Sequence, residues 1–519
     1  MRKIILFVIC ACFLINPIYS ETIKDFQERQ AKEVKKFEQE NAQKRKNYEQ
    51  EQLKKYKKYK TKKQQEFDAY RRSVNEKFAE MMKKKWTKRT QQAAVPNPKR
   101  KEPPKPYTYT GKDEKRTTAV KLNYAKIVNA ESCDDPEPIT PVEMEIPEEK
   151  IPPVNFEQDY NFIYYGTTCK AHFFDSMRFS LPDVSEASVA EVWKKLSSED
   201  FDPLLADCFD LKEDLRLGDW GYIDMLRVMS EHFLGEESNE AVLLQMYVLA
   251  QSGYKVRLAR SGDKLILLVP FRTDIYTYSY FLLGDGKKYY ILDKESRNQS
   301  RTYQILEESF PREKTASLKM PGTPKFGQEK GTDKIFQSRR YEDTFAQVVT
   351  NKNLIDFYNN YPVSSNWDDY VRTSLSDEIK NALYPALRAQ INGKTKLEAA
   401  NILINFVQTA FNYQTDQEQF GYERPLFGDE IFYYPYSDCE DRSILFAILV
   451  RELLGLEVVL LNYPTHLATA INFGDEDVFG YYFDLGGKKY VISDPTYINA
   501  PVGSCMPQFQ NSSAKIINL

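Results

Sequence analysis

Histidine is scarce in this 519-residue chain: only His172, His232 and His466 occur. Any imidazole chemistry must therefore use one of three residues. None has the Cys-x-x-Cys or paired-histidine context of a zinc site, so no metal or other cofactor is expected. Seven cysteines and 21 glycines in 519 residues exclude a disulfide-dense scaffold and a collagen-like repeat. After the first residues, no apolar run is long enough to span a bilayer. Net charge is nearly absent too, at −3. What is present is 42% hydrophobic residues, enough to bury real cores in two to four domains.

The small net charge is a sum of opposites. Residues 1–20 read as a secretory signal, with Arg2 and Lys3, an apolar run Ile4–Ile15, Pro17 and a small Ser20. Cys12 as a lipid acceptor is the weaker reading, because Phe13-Leu14-Ile15 continues beyond it. An exported chain, periplasmic or secreted, is expected. Residues 21–90 carry about +11, and everything after residue 120 about −20.

Residues 21–90 lack proline and glycine and are rich in lysine, glutamate and glutamine. Phe26, Phe37, Tyr48, Tyr59, Tyr70 and Met81 stand eleven apart. Ile23, Val34, Tyr56, Phe67 and Phe78 keep the same period, broken at Arg45. Eleven residues in three turns predicts a nearly straight, weakly right-handed coiled-coil arm. Self-association through this arm, or contact of its lysines with an anionic surface or cell-wall polymer, is expected; nucleic acid is not. Residues 91–154, with Pro103-Pro104 and Pro152-Pro153, read as an extended linker with little fixed structure.

The acidic body contains two similar stretches. Ala241-Val242-Leu243-Leu244 leads to Gly253 and a strand, as Ser443-Ile444-Leu445-Phe446 leads to Gly455 and a strand. Gly286-Lys287-Lys288-Tyr289 parallels Gly487-Lys488-Lys489-Tyr490. The offset is 202 and then 201. A duplicated helix-plus-strands unit is predicted. Cys439 aligns with Glu237, His466 with Lys264, and Asp494 with Asp293, so only the second copy can use a thiol.

Ser437-Asp438-Cys439-Glu440-Asp441-Arg442-Ser443 precedes the apolar run Ile444–Leu454. A cap at Asp438 or Ser437 puts Cys439 in the first turn of a helix, where the dipole favours a thiolate. The flanking carboxylates oppose ionisation, so a nearby imidazolium would be needed. His466 opens an alternating strand, and Asp494 closes another before Pro495. Such strands can bring His466 to the sulfur as acid and base, with Asp494 fixing its tautomer.

These residues, with Thr465-His466-Leu467-Ala468 and Ser493-Asp494-Pro495-Thr496-Tyr497, resemble the transglutaminase-like cysteine-enzyme superfamily over about residues 380–510. The resemblance implies a papain-like α+β core, with the cysteine helix against an antiparallel sheet. It also implies a thioacyl-enzyme resolved by water or an amine. The chain departs from the commoner pattern in lacking glycine before the cysteine and an aromatic two residues after the histidine. Gln408 and the Cys439 amide are candidate oxyanion donors. Tyr434 and Tyr436 are candidate substrate-binding residues. Asp475-Glu476-Asp477 reads as a polar turn rather than a calcium site.

The expected order is signal peptide 1–20, coiled-coil arm 21–90, linker 91–154, degenerate repeat 155–310, connecting segment 311–345 and catalytic domain 346–519. The expected function is thiol-dependent amide hydrolysis or acyl transfer on peptide or protein through Cys439, His466 and Asp494. The rivals are a non-catalytic scaffold and a cell-wall endopeptidase. Cys133, Cys169, Cys208 and Cys505 would suffice for two disulfides in an oxidising compartment, with the pairing open.

Overall fold

The computed structural model describes residues 32, 36, 62, 65–84, 86–99, 106–111, 117–122, 126–128, 161–198, 201–292, 301–310, 312–364 and 366–519. The signal at 1–20, most of the arm before residue 65, and Cys133 lie outside them. Met1–Glu66 and Phe67–Leu519 form two units. The described residues include no helix long and apolar enough to cross a membrane.

The second unit is mixed α+β with mainly antiparallel sheets. It begins with helix α1 (residues 67–81). Strands β1 (Thr87–Thr90), β2 (Ala119–Lys121) and β3 (Lys126–Val128) follow, then the hairpin β4 (Asn161–Tyr164) and β5 (Thr167–Lys170). Helices α2 (Glu186–Leu196), α3 (Asp202–Asp214), α4 (Asp219–Leu234) and α5 (Asn239–Gln251) precede five strands. These are β6 (Arg257–Ser261), β7 (Lys264–Pro270), β8 (Tyr280–Leu282), β9 (Lys288–Ile291) and β10 (Thr302–Leu306).

The second half opens with a ribbon of β11 (Lys330–Gln337) and β12 (Phe345–Asn351). Helices α6 (Lys352–Asn360), α7 (Asp368–Val371), α8 (Asp377–Ile391) and α9 (Lys396–Thr409) follow. After β13 (Asn412–Tyr413) come α10 (Asp416–Gln419), α11 (Glu430–Tyr433) and β14 (Tyr436–Ser437). Helix α12 (Cys439–Leu449) then leads to β15 (Glu457–Tyr463), β16 (His466–Asn472), β17 (Gly480–Leu485), β18 (Lys488–Ser493) and β19 (Lys515–Asn518).

The two halves share a topology. The first sheet contains the order β10-β6-β7-β9-β8, and the second contains β19-β15-β16-β18-β17. Registers agree as well. Ser261 pairs with Lys264 as Tyr463 pairs with His466, and Val269 with Tyr290 as Ile471 with Val491. Gly253 and Gly455 end the corresponding helical segments at φ +83° and +64°, a left-handed conformation that costs glycine little. The expected repeat is therefore present in strand order and register.

The sheet of the second half is rolled. Its order is β2-β17-β18-β16-β15-β19-β3, so β2 and β3 sit at opposite ends of the list. Both run parallel to their neighbours. The edges of a flat seven-stranded sheet would stand about 29 Å apart. The stretch from Lys121 to Lys126 can reach only about 18 Å. The sheet must curl until one pass of chain touches both edges. Alternate residues Val459, Leu461, Tyr463, Ala468, Ala470 and Ile492 then line an inner core with Phe509 and Ile516. Leu460, Leu467 and Ile471 belong to the larger core that holds α12.

Two boundaries differ from the sequence expectation. The stripe Phe67, Tyr70, Phe78 and Met81 is buried in the larger core, with Phe78 stacked on Trp193 at 3.7 Å. From Phe67 onward the expected arm is therefore part of the body, and its apolar face meets the body, α2 included. The expected linker is also structured where described: Gln92 bridges to Tyr280, Tyr109 donates to the Ile498 carbonyl at 2.9 Å, and β2 and β3 extend the second sheet. Cys169, Cys208 and Cys505 are buried free thiols, so no disulfide forms among them.

Candidate functional site

Asp438 is the N-cap of α12 and Cys439 its first residue, as the sequence predicts. The Asp438 amide donates to Asp441 Oδ2 at 3.1 Å, satisfying one end group. The chain runs up α12, back along β15 and up β16, while β18 runs antiparallel to β16. Cys439, His466 and Asp494 therefore all fall at one end of the sheet. Ser443, one helical turn after Cys439, donates to the Leu467 carbonyl at 2.9 Å and pins that end of α12 against β16.

His466 Nε2 lies 2.8 Å from Asp494 Oδ2. Asp494 Oδ1 accepts the Thr496 amide at 2.8 Å, which fixes the carboxylate. The imidazole stacks on Phe509, with ring centroids 5.0 Å apart and planes 6° apart; Phe509 in turn stacks on Tyr463 at 4.6 Å. His466 Nδ1 is buried and makes no hydrogen bond. The histidine–aspartate half of the expected triad is thus assembled.

The thiol is not hydrogen-bonded to the imidazole. Cys439 Sγ instead lies 3.0 Å from Glu440 Oε2, a neighbour the sequence reading treated only as an opposing charge. Strand alternation places His466 with Ala468 and Ala470 on the inner face, whereas Leu467 faces the core that holds α12. Cys439, His466 and Asp494 are all buried.

The surroundings of the thiol are strongly charged. Arg442 is buried and donates only to neutral acceptors: Ser437 Oγ, the Gln408 carbonyl and the Phe411 carbonyl. Burial brings its guanidinium down to about 10, against the pull of Tyr413, Asp438, Asp441 and Cys439. Burial, with Glu440 adding, pushes Asp441 up to about 7. Asp416, Asp438 and Glu440 are buried, with carboxylate oxygens within 4.8 Å of one another. This oxygen set could hold a hard divalent cation. The sequence reading missed it because Asp416 lies 22 residues before Asp438, and only the fold joins them.

Gln408, expected as an oxyanion donor, is instead a brace. Its Nε2 donates to the carbonyls of Asp494, Tyr497 and Ala500 at 3.1, 2.8 and 3.0 Å. Tyr434 and Tyr436 line a cavity of about 430 Å³ beside β11. Glu476 accepts the Lys396 and Leu397 amides and Asp477 pairs with Lys489, so this acidic turn has structural partners. His172 pairs with Asp207, and His232 lies 3.2 Å from the Asn161 carbonyl.

In the first repeat the corresponding positions carry no thiol or imidazole. Lys264 Nζ donates to the Glu237 carbonyl at 3.3 Å, and Asp293 lies outside the described residues. No family model matches the chain, and no curated protein or solved structure matches it significantly.

Proposed function

We propose that the second half is a thiol-dependent acyl-transfer enzyme that resembles the transglutaminase-like cysteine enzymes. More particularly, it is an exported amide hydrolase acting on peptide or protein, with water favoured over an amine as acceptor. The observation that carries the reading is the buried His466–Asp494 pair, with Nδ1 making no hydrogen bond, at the sheet end where Cys439 begins α12.

In this reading the start of α12 shifts around the end of β16 when substrate opens the site, because His466 and Cys439 lie on opposite faces of the sheet and a side-chain turn alone does not join them. His466 takes the thiol proton, and the thiolate adds to the amide carbonyl to form a tetrahedral intermediate. The imidazolium then protonates the leaving amine, giving a thioacyl-enzyme. Water, deprotonated by His466, adds to the thioester; collapse releases the acid and the proton returns to sulfur. Asp494 holds the tautomer and supports the imidazolium. The Cys439 amide, at the positive end of α12, is the donor this reading assigns to the oxyanion.

The test is iodoacetamide labelling of Cys439 in the full chain near neutral pH. Fast labelling that His466→Ala slows at least about tenfold supports a catalytic thiol. Slow labelling unchanged by that variant overturns it. A second reading, a scaffold that keeps the fold without catalysis, is favoured by the complete burial of Cys439 and its contact with Glu440.

A further inference from the structure

Among the described residues, strand β11 is paired on one edge only, by β12, in a ribbon of two strands. Unpaired strand edges present amide and carbonyl groups that recruit another strand unless they are covered. Beside this edge runs the 430 Å³ cavity, with Lys334–Phe336 on one side and Phe411, Asn412 and Tyr434–Tyr436 on the other. Tyr436, at the edge of the cavity, stands three residues before Cys439, about 11 Å at most along the chain, and Ser437, Asp438 and Cys439 themselves are buried.

The outer face of the ribbon carries three exposed apolar residues opposite Asp333, Gln337 and Gln347. Ile335 is 68% exposed and Phe345 54%, and Val349 is also exposed. Ile335 lies opposite Gln347, so Phe345 and Val349 are its two diagonal neighbours across the ladder. Single exposed hydrophobic residues need no explanation, but three neighbours beside a groove mark a binding surface. Lys334 is the one charged residue lining the cavity; its Nζ donates to the Tyr433 carbonyl at 2.9 Å. That donor leaves two ammonium protons for a carboxylate.

We propose that an extended polypeptide docks here as a third strand on β11, with apolar side chains alternating with acidic ones. Main-chain pairing with the β11 edge would supply affinity with little sequence demand. Ile335, with its diagonal neighbours Phe345 and Val349, would receive the apolar side chains on the outer face, and Lys334, on the opposite face of β11, would select the acidic ones. The role of this track as the substrate path rests on the catalytic reading of Cys439; the docking itself does not.

The test uses the full chain carrying Cys439→Ala and a fluorescein-labelled hexapeptide alternating valine and glutamate, followed by anisotropy. A second peptide, N-methylated at alternate amides facing the ladder, cannot pair. Binding that methylation weakens at least about tenfold supports the proposal. So does a Lys334→Glu protein that prefers the valine–lysine peptide. Equal affinity for methylated and parent peptides, or no binding of either, overturns it. Ladder-dependent binding with an inert Cys439 in the alkylation assay would uphold the docking site and reject the catalytic reading.

Discussion

Lys264 reaches the backbone of Glu237 in the first repeat, at the two positions that His466 and Cys439 hold in the second. Both are surface-exposed, whereas their counterparts are buried. A flexible lysine bridging a strand start to a helix start shows that this topology brings the two positions within side-chain reach. It also shows that the first repeat folds without a triad.

The pair His466–Asp494 should matter for rate more than for folding. Asp494→Asn keeps the size and the Thr496 contact but weakens the imidazolium. Peptide turnover should fall by about 10²–10⁴ in kcat/KM, while thermal unfolding moves little. A variant that retains full turnover would remove Asp494 from the mechanism.

Phe509 packs against both Tyr463 and the imidazole, whose own ring centroids lie 6.2 Å apart. Phe509→Ala should cost about 3–5 kcal/mol in urea unfolding, through a cavity in the inner core. Phe509→Tyr should cost much less. Alkylation of Cys439 should be faster in the alanine variant at denaturant concentrations where it is still folded, because the stack no longer closes the site.

Asp429 gives a pH signature. Burial pushes its carboxyl up to about 7, and the Ser376 amide and hydroxyl only partly oppose this. The unfolded value is about 3.9, so between roughly pH 4 and 7 the folded state holds a proton that the unfolded state has lost. Its contribution to stability is fully present below pH 4 and disappears as pH rises through 7. Asp429→Asn should therefore gain on the order of 2 kcal/mol relative to the parent chain between pH 5 and pH 8, read by urea unfolding at both. A constant difference between the two would refute the assignment.

The boundary at residue 67 can be tested by truncation. A chain starting at Phe67 should retain the cooperative unfolding of the body. One starting at Gln91 loses Phe67, Phe78 and Met81 from the core, together with β1, and should unfold at markedly lower denaturant. If the first truncation leaves the oligomeric state unchanged, association of the expected arm (residues 21–90) does not depend on residues 21–66.

Much of the second half could be read in the chain. Asp438 before an apolar run marked the start of α12, alternation marked β16, and paired glycines marked the repeat, because each is a local signal with a local cause. Phe67 and Phe78 misled because an eleven-residue stripe specifies a buried helical face but not what buries it. Gln408 was misassigned because a buried amide is equally suited to an oxyanion or to three carbonyls, and only the 494–500 loop decides. The Phe509 stack and the Asp416–Glu440 cluster depend on contacts between distant segments, which no local pattern encodes.

The closure of the second sheet by β2 and β3 has a consequence in time. Lys121 pairs opposite Tyr482, 361 residues later. During synthesis the closing strands emerge first and must remain unpaired until nearly the whole chain exists. Such long-range closure is slow, because the entropy of bringing the ends together is lost before the contacts form. The final step of folding is then the clasping of the C-terminal sheet by its own N-terminal flank. Until that step both sheet edges stay open to other strands, so a period of chaperone dependence is built into the order of the sequence.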